Sequence, residues 1–310
     1  MLDVQQTVDR LPGPDEKLVA TDLLVASGGP AANAAVTAAA LGVSARLLTR
    51  IGTSPLGALI RSDLSAHDVG VVDRAGPNDR PAVSTVLVTR GTGQRAVVSV
   101  NATKHGAADP IPGQAAGDWL APLLAGVDAV LVDGHHLDLA VPVAAAARAI
   151  GIPVLLDGGS WKPGLELLLA QVDIALISAD LRVPDRVVGR NGRPADDVLA
   201  AVSALGPPVV ARSRGPLPID VLTPDGRAEL PVPQVAVLDT LGAGDVLHGA
   251  LSAWLAVRGA GDPLAGLAWA ANVAADSCTA PGARGWLADE DRLVHHRQLL
   301  QAGRPASGQG

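Results

Sequence analysis

Phenylalanine and tyrosine do not occur in this chain of 310 residues, and cysteine and methionine occur once each. A core without Phe or Tyr has to be built from Ala, Val, Leu and Ile, with five Trp as the only large rings. The lone cysteine, Cys278, excludes an intrachain disulfide and fits a reducing compartment. Charged residues make up only 18% of the chain, and their balance is negative, at −7. That balance argues against nucleic acid or an anionic membrane as a partner. An apolar signal core is lacking at the start, where Asp3, Asp9 and Arg10 stand, so the expected location is cytoplasmic. The uncharged stretch from Leu23 to Ala45 is long enough for a membrane span, but Gly28-Gly29-Pro30 and Asn33 break it. It reads as strand, turn and Ala-rich helix.

The most informative stretch runs from Asp239 to Leu251, Asp-Thr-Leu-Gly-Ala-Gly-Asp-Val-Leu-His-Gly-Ala-Leu. The apolar run Val235 to Leu238 reads as a buried strand feeding it. Beyond the glycines, Val246, Leu247, Ala250, Leu251 and Trp254 fall at helical spacing. Gly242 and Gly244 therefore mark a helix N-terminus, where free amides and the helix dipole favour an anion such as phosphate. A carboxylate at Asp245 would repel that anion unless it served as a base; the alternative is a cap that merely complements the dipole. A dinucleotide fingerprint fails at Leu247 and a Walker loop fails at Ala250.

The string Asp-Thr-x-Gly-Ala-Gly-Asp resembles the C-terminal signature of the ribokinase-like (PfkB) carbohydrate kinases, nearest the ketohexokinase-like and sulfofructose-kinase-like branches. Ser27-Gly28-Gly29-Pro30-Ala31-Ala32-Asn33 is similar to the N-terminal Gly-Gly-x-x-x-Asn signature of that family. Arg50 to Gly57 resembles its Gly-x-Asp-x-x-Gly segment, with Ser54 and Pro55 in place of acidic residues. The resemblance implies a ribokinase-like α/β fold over residues 1–310: a doubly wound, mostly parallel sheet flanked by helices. It also implies a small β-sheet lid, formed by segments at approximately 9–27 and 80–102. The hairpin pattern of Pro81 to Val100 agrees with the lid. From Asp128 onward, short apolar strands alternate with helices, as a parallel sheet requires. Asp133-Gly134-His135-His136, Asp157-Gly158-Gly159-Ser160-Trp161 and Ser178-Ala179-Asp180 fall at the carboxyl ends of those strands, where ligands bind. Adjacent histidines point apart, so His135 and His136 are not expected to share a metal. In relatives a strand ends in Gly-x-x-x-x-Asp at the start of the chain. Asp3 and the segment Leu11 to Glu16 match only its tail, so the first strand is expected to be missing, through a late start codon, trimming or a shorter variant.

By the same resemblance, Asp245 is the general base, with amides of Gly242, Ala243 and Gly244 as the anion hole. Asp3, Gly28, Gly29, Asn33 and Asn101 hold the sugar. Arg212, Ser213, Gly215, Gly242, Gly244 and Asn272 bind ATP. Mg²⁺ travels with ATP, and Asp239, Ala280 and Ala283 hold a monovalent cation such as K⁺. A homodimer through the lid is implied as well. Three departures stand out. Ser178 and Leu181 replace the Asn-x-x-Glu of many relatives, which points to a ketose substrate. Arg212 replaces a glycine on the nucleotide side, where it either contacts phosphate or blocks it. Asp3 is expected on a loose terminus. The competing readings are a nucleoside kinase of the same superfamily and a catalytically impaired sugar-binding or regulatory protein.

Overall fold

The computed structural model describes residues 1–76, 79–91, 94–100, 119–184 and 197–302. The elements run β1 (Leu2–Val8), β2 (Asp22–Ser27), α1 (Pro30–Ala40), β3 (Ala45–Thr49), α2 (Pro55–Ala66), β4 (Val69–Asp73), β5 (Val83–Thr89) and β6 (Arg95–Ser99). They continue α3 (Leu120–Leu124), β7 (Val130–Val132), α4 (Leu137–Ala149), β8 (Val154–Gly158), α5 (Leu165–Leu169), β9 (Ile174–Ser178), α6 (Val198–Ser203) and β10 (Val209–Arg214). The chain closes with β11 (Leu217–Thr223), β12 (Gly226–Leu230), α7 (Ala243–Arg258), α8 (Pro263–Ser277), a 3-10 turn at Gly285–Ala288 and α9 (Glu290–Gln301).

The main sheet has the order β12-β11-β10-β9-β8-β7. Strands β7 to β10 are parallel, and β11 and β12 extend the sheet antiparallel. Its strands are apolar on both faces. Leu155, Ile174, Leu176, Val209 and Ala211 belong to the cluster under α7, α8 and α9, where Trp254, Trp269 and Trp286 supply the missing aromatic bulk. The alternate residues Val154, Leu156, Ala175, Ile177 and Val210 belong to the cluster under α4, α5 and α6. This period-two exchange between two clusters is what places helices on both sides of the sheet. Among the described residues, no helix is long and apolar enough to cross a membrane.

The lid is a separate sheet of order β2-β1-β5-β6. Its hairpin β5–β6 lies where the sequence pattern puts it. The lid also takes in Leu2–Val8, outside the segments expected to form it, because β1 pairs antiparallel with β2 and parallel with β5. Asp3 is accordingly held between Ala26 and Ser84 rather than left on a loose end. A second correction concerns Val235 to Leu238, which is irregular rather than a strand. Val237 and Leu238 are 61% and 65% exposed. Pro231 and Pro233 just upstream remove ladder donors, and the Leu238 amide bonds instead to the Cys278 carbonyl at 2.8 Å.

Candidate active site

Helices α1 and α7 cross at Gly249, where an added Cβ would meet the Ala34 carbonyl oxygen at 2.4 Å. That close approach brings the first turns of both helices together. Asn33 Nδ2 donates to Asp245 Oδ2 at 2.7 Å, across 212 residues of sequence. Gly242 caps α7 in the left-handed region at φ 76°. A Cβ there would also stand 2.6 Å from that of Ala283, so the position needs glycine on two counts. Gly244 faces open space, and a Cβ on it would meet nothing within 4 Å. The Ala243 amide makes a long bond to the Thr240 carbonyl at 3.3 Å, and that of Val246 bonds to Gly242 at 2.8 Å. The first helical turn thus opens towards a cleft beside Asp245.

Burial pushes the Asp245 carboxyl up to about 7; the Asn33 bond opposes that rise and the charge of Asp157 adds to it. Asp157, at the end of β8, is itself raised by burial. His248 Nδ1 lies 3.4 Å from Asp157 and 2.6 Å from the Gly244 carbonyl oxygen, while Nε2 lies 3.0 Å from that of Leu176. The ring pins the start of α7 to β9. At the ends of β7 and β8, burial lowers the Lys162 ammonium and the His135 imidazole, against the pull of Asp133 and Asp157. Among the described residues, no group of three His, Cys, Asp or Glu side chains is placed to hold a metal.

The structure brings Asp3 against Gly28, next to Gly29 and the Asn33 turn. The Asp3 carboxylate lies against Gly28, where a Cβ would sit 1.8 Å from Oδ2. Burial raises Asp3, while the N-terminal ammonium and Ser84 hold it down, and its Oδ1 is buried without a hydrogen-bond partner. Gly29 adopts φ 96°, which favours glycine. Asn101 lies outside the described residues.

Arg284 is the residue the sequence reading missed. Its guanidinium donates to Asp63 Oδ2 (2.8 Å), the Ser27 carbonyl (2.7 Å) and Asn33 Oδ1 (3.1 Å). Because Arg284 donates to Oδ1, the Asn33 amide nitrogen is turned towards Asp245. Burial works against the Asp63 carboxylate, yet bonds from Ser27 and Arg284 hold it below the usual range. The only sequence signal was one cation beside Ala283 in a Pro-Gly loop.

The side chains expected to bind the nucleotide turn to their own surroundings. Arg212 Nη2 donates to the Ala179 carbonyl at 2.7 Å, and its Nε is buried without a partner. Ser213 pairs with Ser178 between β10 and β9, and Gly215 makes the β10–β11 turn at φ 61°. Asn272 donates within its own helix to Ala268 at 2.8 Å. Asp239 accepts the amides of Leu241 and Gly282, both at 2.9 Å, which ties the turn before α7 to the Ala280–Ala283 loop. Arg95 reaches from the lid to Thr240 Oγ1 at 3.3 Å.

The chain has relatives of known class. An ATP-dependent ribose-1-phosphate kinase of Halopiger xanaduensis is 28% identical over 261 residues, 82% of this chain and 81% of that protein. A fructokinase of Klebsiella pneumoniae is 26% identical over 274 residues, 84% of this chain and 85% of that one. A crystal structure from Agrobacterium tumefaciens, provisionally assigned as a ribokinase, superposes with a TM-score of 0.77 at 26% identity, covering 97% and 95% of the two chains. Residues 1–288 match the pfkB family of carbohydrate kinases, and the chain belongs to that family. It is a sugar kinase that uses ATP.

Proposed function

We propose that the chain transfers the γ-phosphoryl group of ATP to a hydroxyl of a ketose, with Asp245 as general base. The observation that carries this reading is the Asp245 carboxyl, raised to about 7 beside the open turn at Gly244. A base with that affinity for protons is matched to neutral pH. Asp245 takes the hydroxyl proton as the sugar oxygen forms its bond to phosphorus. The bond from phosphorus to the bridging oxygen breaks, and ADP leaves with that oxygen. Amides of Gly242, Ala243 and Gly244 stabilise charge on the moving group. Asp3, whose Oδ1 lacks a donor, and Asn33 orient the sugar hydroxyls.

Mg²⁺ would be held chiefly by the nucleotide phosphates. Ser178 donates to the Gly159 carbonyl and Leu181 is buried, so neither replaces Asn-x-x-Glu as a metal relay. A monovalent cation would sit by Asp239, Ala280 and Ala283. A ketose is favoured by that departure and by the fructokinase relative. The ribose-1-phosphate kinase relative supports a pentose 1-phosphate as the second reading, with Lys162 as the cation for its phosphate. A coupled ADP-release assay across ketoses, aldoses, ribose 1-phosphate and nucleosides tests the proposal. Turnover greatest with a ketose supports it. Turnover only with nucleosides, or binding without turnover, contradicts it.

We also propose a homodimer through the outer face of the lid. Leu23, Val25 and Val98 share that face by their register and are 60%, 43% and 74% exposed. Sedimentation equilibrium should give a dimer that Val98→Glu converts to monomer.

A further inference from the structure

His248 follows Asp245 by one helical turn, so the two side chains share a face of α7. The residue is buried, with 5% exposed. Nδ1 lies 2.6 Å from the Gly244 carbonyl oxygen and 3.4 Å from Asp157 Oδ2, and Nε2 lies 3.0 Å from the Leu176 carbonyl oxygen. Both carbonyls are acceptors with no hydrogen to give. A neutral imidazole carries hydrogen on one nitrogen only, and its other nitrogen would then turn a lone pair towards a carbonyl oxygen. A ring that donates from both nitrogens is the imidazolium. The two carbonyls therefore select the charged ring, and Asp157 supplies the opposite charge that burial demands.

That charge stands where carboxylates crowd. Asp133 follows β7, Asp157 ends β8, and Asp245 lies in the first turn of α7. The charges of Asp157 and Asp133 push the Asp245 carboxyl up, while His248 and the Asn33 bond pull it down. His248 also opposes the rise that burial imposes on Asp157, and Lys162 and His135 do the same. Burial lowers both of those cations in turn. Of the three, only His248 stands on α7, the helix that carries Asp245. Removing its charge would leave Asp245 facing the other two carboxylates with the Asn33 bond as its main counterweight.

We propose that His248 is a positioning residue for the phosphoryl-transfer step: as a buried imidazolium clamped by Gly244, Leu176 and Asp157, it keeps the Asp245 carboxylate available as a base at neutral pH. This rests on the reading of Asp245 as the base. The same clamp ties the first turn of α7 to β9, so position and charge come from one side chain. His248 acts through Asp245 rather than on the substrate.

The first measurement needs no variant and no turnover. In the ligand-free protein at pH 7, nitrogen-15 NMR should show a one-bond N–H coupling at both ring nitrogens of His248, assigned through its backbone correlations. Hydrogen on one nitrogen only would overturn the proposal. The second measurement follows the Asp245 carboxyl carbon through pH by carbon-13 NMR. His248→Gln keeps a donor and removes the charge, so the Asp245 midpoint should move up by about one pH unit. Single-turnover transfer in that variant should then lose about tenfold more at pH 6 than at pH 9. A purely structural tie would lower the rate by one factor at every pH. A midpoint that stays in place overturns the proposal, as do equal losses at both pH values while the parent's rate still rises with pH. A midpoint that moves while the rates of both proteins are flat with pH supports the His248 charge and removes Asp245 as the base.

Discussion

The two halves of the cleft are built differently. On the side proposed to hold the sugar, Ser27, Asn33, Asp63, Asp245 and Arg284 come from distant parts of the chain and meet in one connected network. On the side proposed for the nucleotide, Arg212 bonds to the Ala179 carbonyl and Asn272 to Ala268 within its own helix, and neither joins that network. The first half is set before any ligand arrives. The second, as proposed, would take a ligand that brings its own charge and would need mainly amides and space. Changes on the sugar side should therefore cost turnover, and changes on the nucleotide side should cost little.

The largest expected effect is at Asp245. Asp245→Asn should lower kcat by about 10²–10⁴ while leaving the fold intact. Its effect on stability has the opposite sign. A carboxyl raised to about 7 by burial favours the folded state when protonated, so its ionised form costs stability as pH rises from about 4 through 7. At pH 8 the Asn variant should melt several degrees above the parent, and at pH 4 the difference should vanish. Near-parental kcat would remove Asp245 from its role.

Arg284→Met comes next. Freed from Arg284, the Asn33 amide loses its fixed orientation, and kcat should fall about 10- to 100-fold with a smaller change in KM for the sugar. Losing one partner of a mostly buried ion pair should cost about 3 kcal/mol in urea denaturation. Arg284→Lys keeps the charge and should recover stability more than kcat. Equal losses in both would reduce Arg284 to a structural tie. The smallest effect is expected across the cleft: Arg212→Ala should change KM for ATP by less than about threefold and cost about 1 kcal/mol for its bond to Ala179. A large rise in KM would erase the contrast between the halves.

What the sequence made legible divides along the same line. The Gly242–Asp245 turn, the Gly28–Asn33 turn and the strands from Val130 to Ala211 were readable because their signals are local: glycine spacing, helical periodicity and short apolar runs. The contact between Asn33 and Asp245 was not readable, because it joins residues 212 apart and the resemblance gave the two separate roles. Arg284 and Asp63 were invisible because a salt bridge across 221 residues leaves no local pattern. The central place of Leu2–Val8 in the lid was missed because its sequence, LDVQQTV, carries polar residues that a two-sided sheet tolerates. Val235 to Leu238 misled in the other direction. It is apolar enough for a strand, yet among the described residues no strand pairs with it. Polar Glu290–Gln301 hid a helix, since only Leu293, His296 and Leu300 face inward.

Everything chemical in this account passes through one proton, leaving a sugar hydroxyl for the carboxylate that Asn33 holds. The most direct measurement is the pH dependence of single-turnover phosphoryl transfer at saturating ATP and sugar. The account predicts a rate that rises tenfold per pH unit below an apparent pKa of about 7 and levels above it, with that limb absent in Asp245→Asn. A rate that is flat from pH 5 to 8, or the same limb in both proteins, would contradict it.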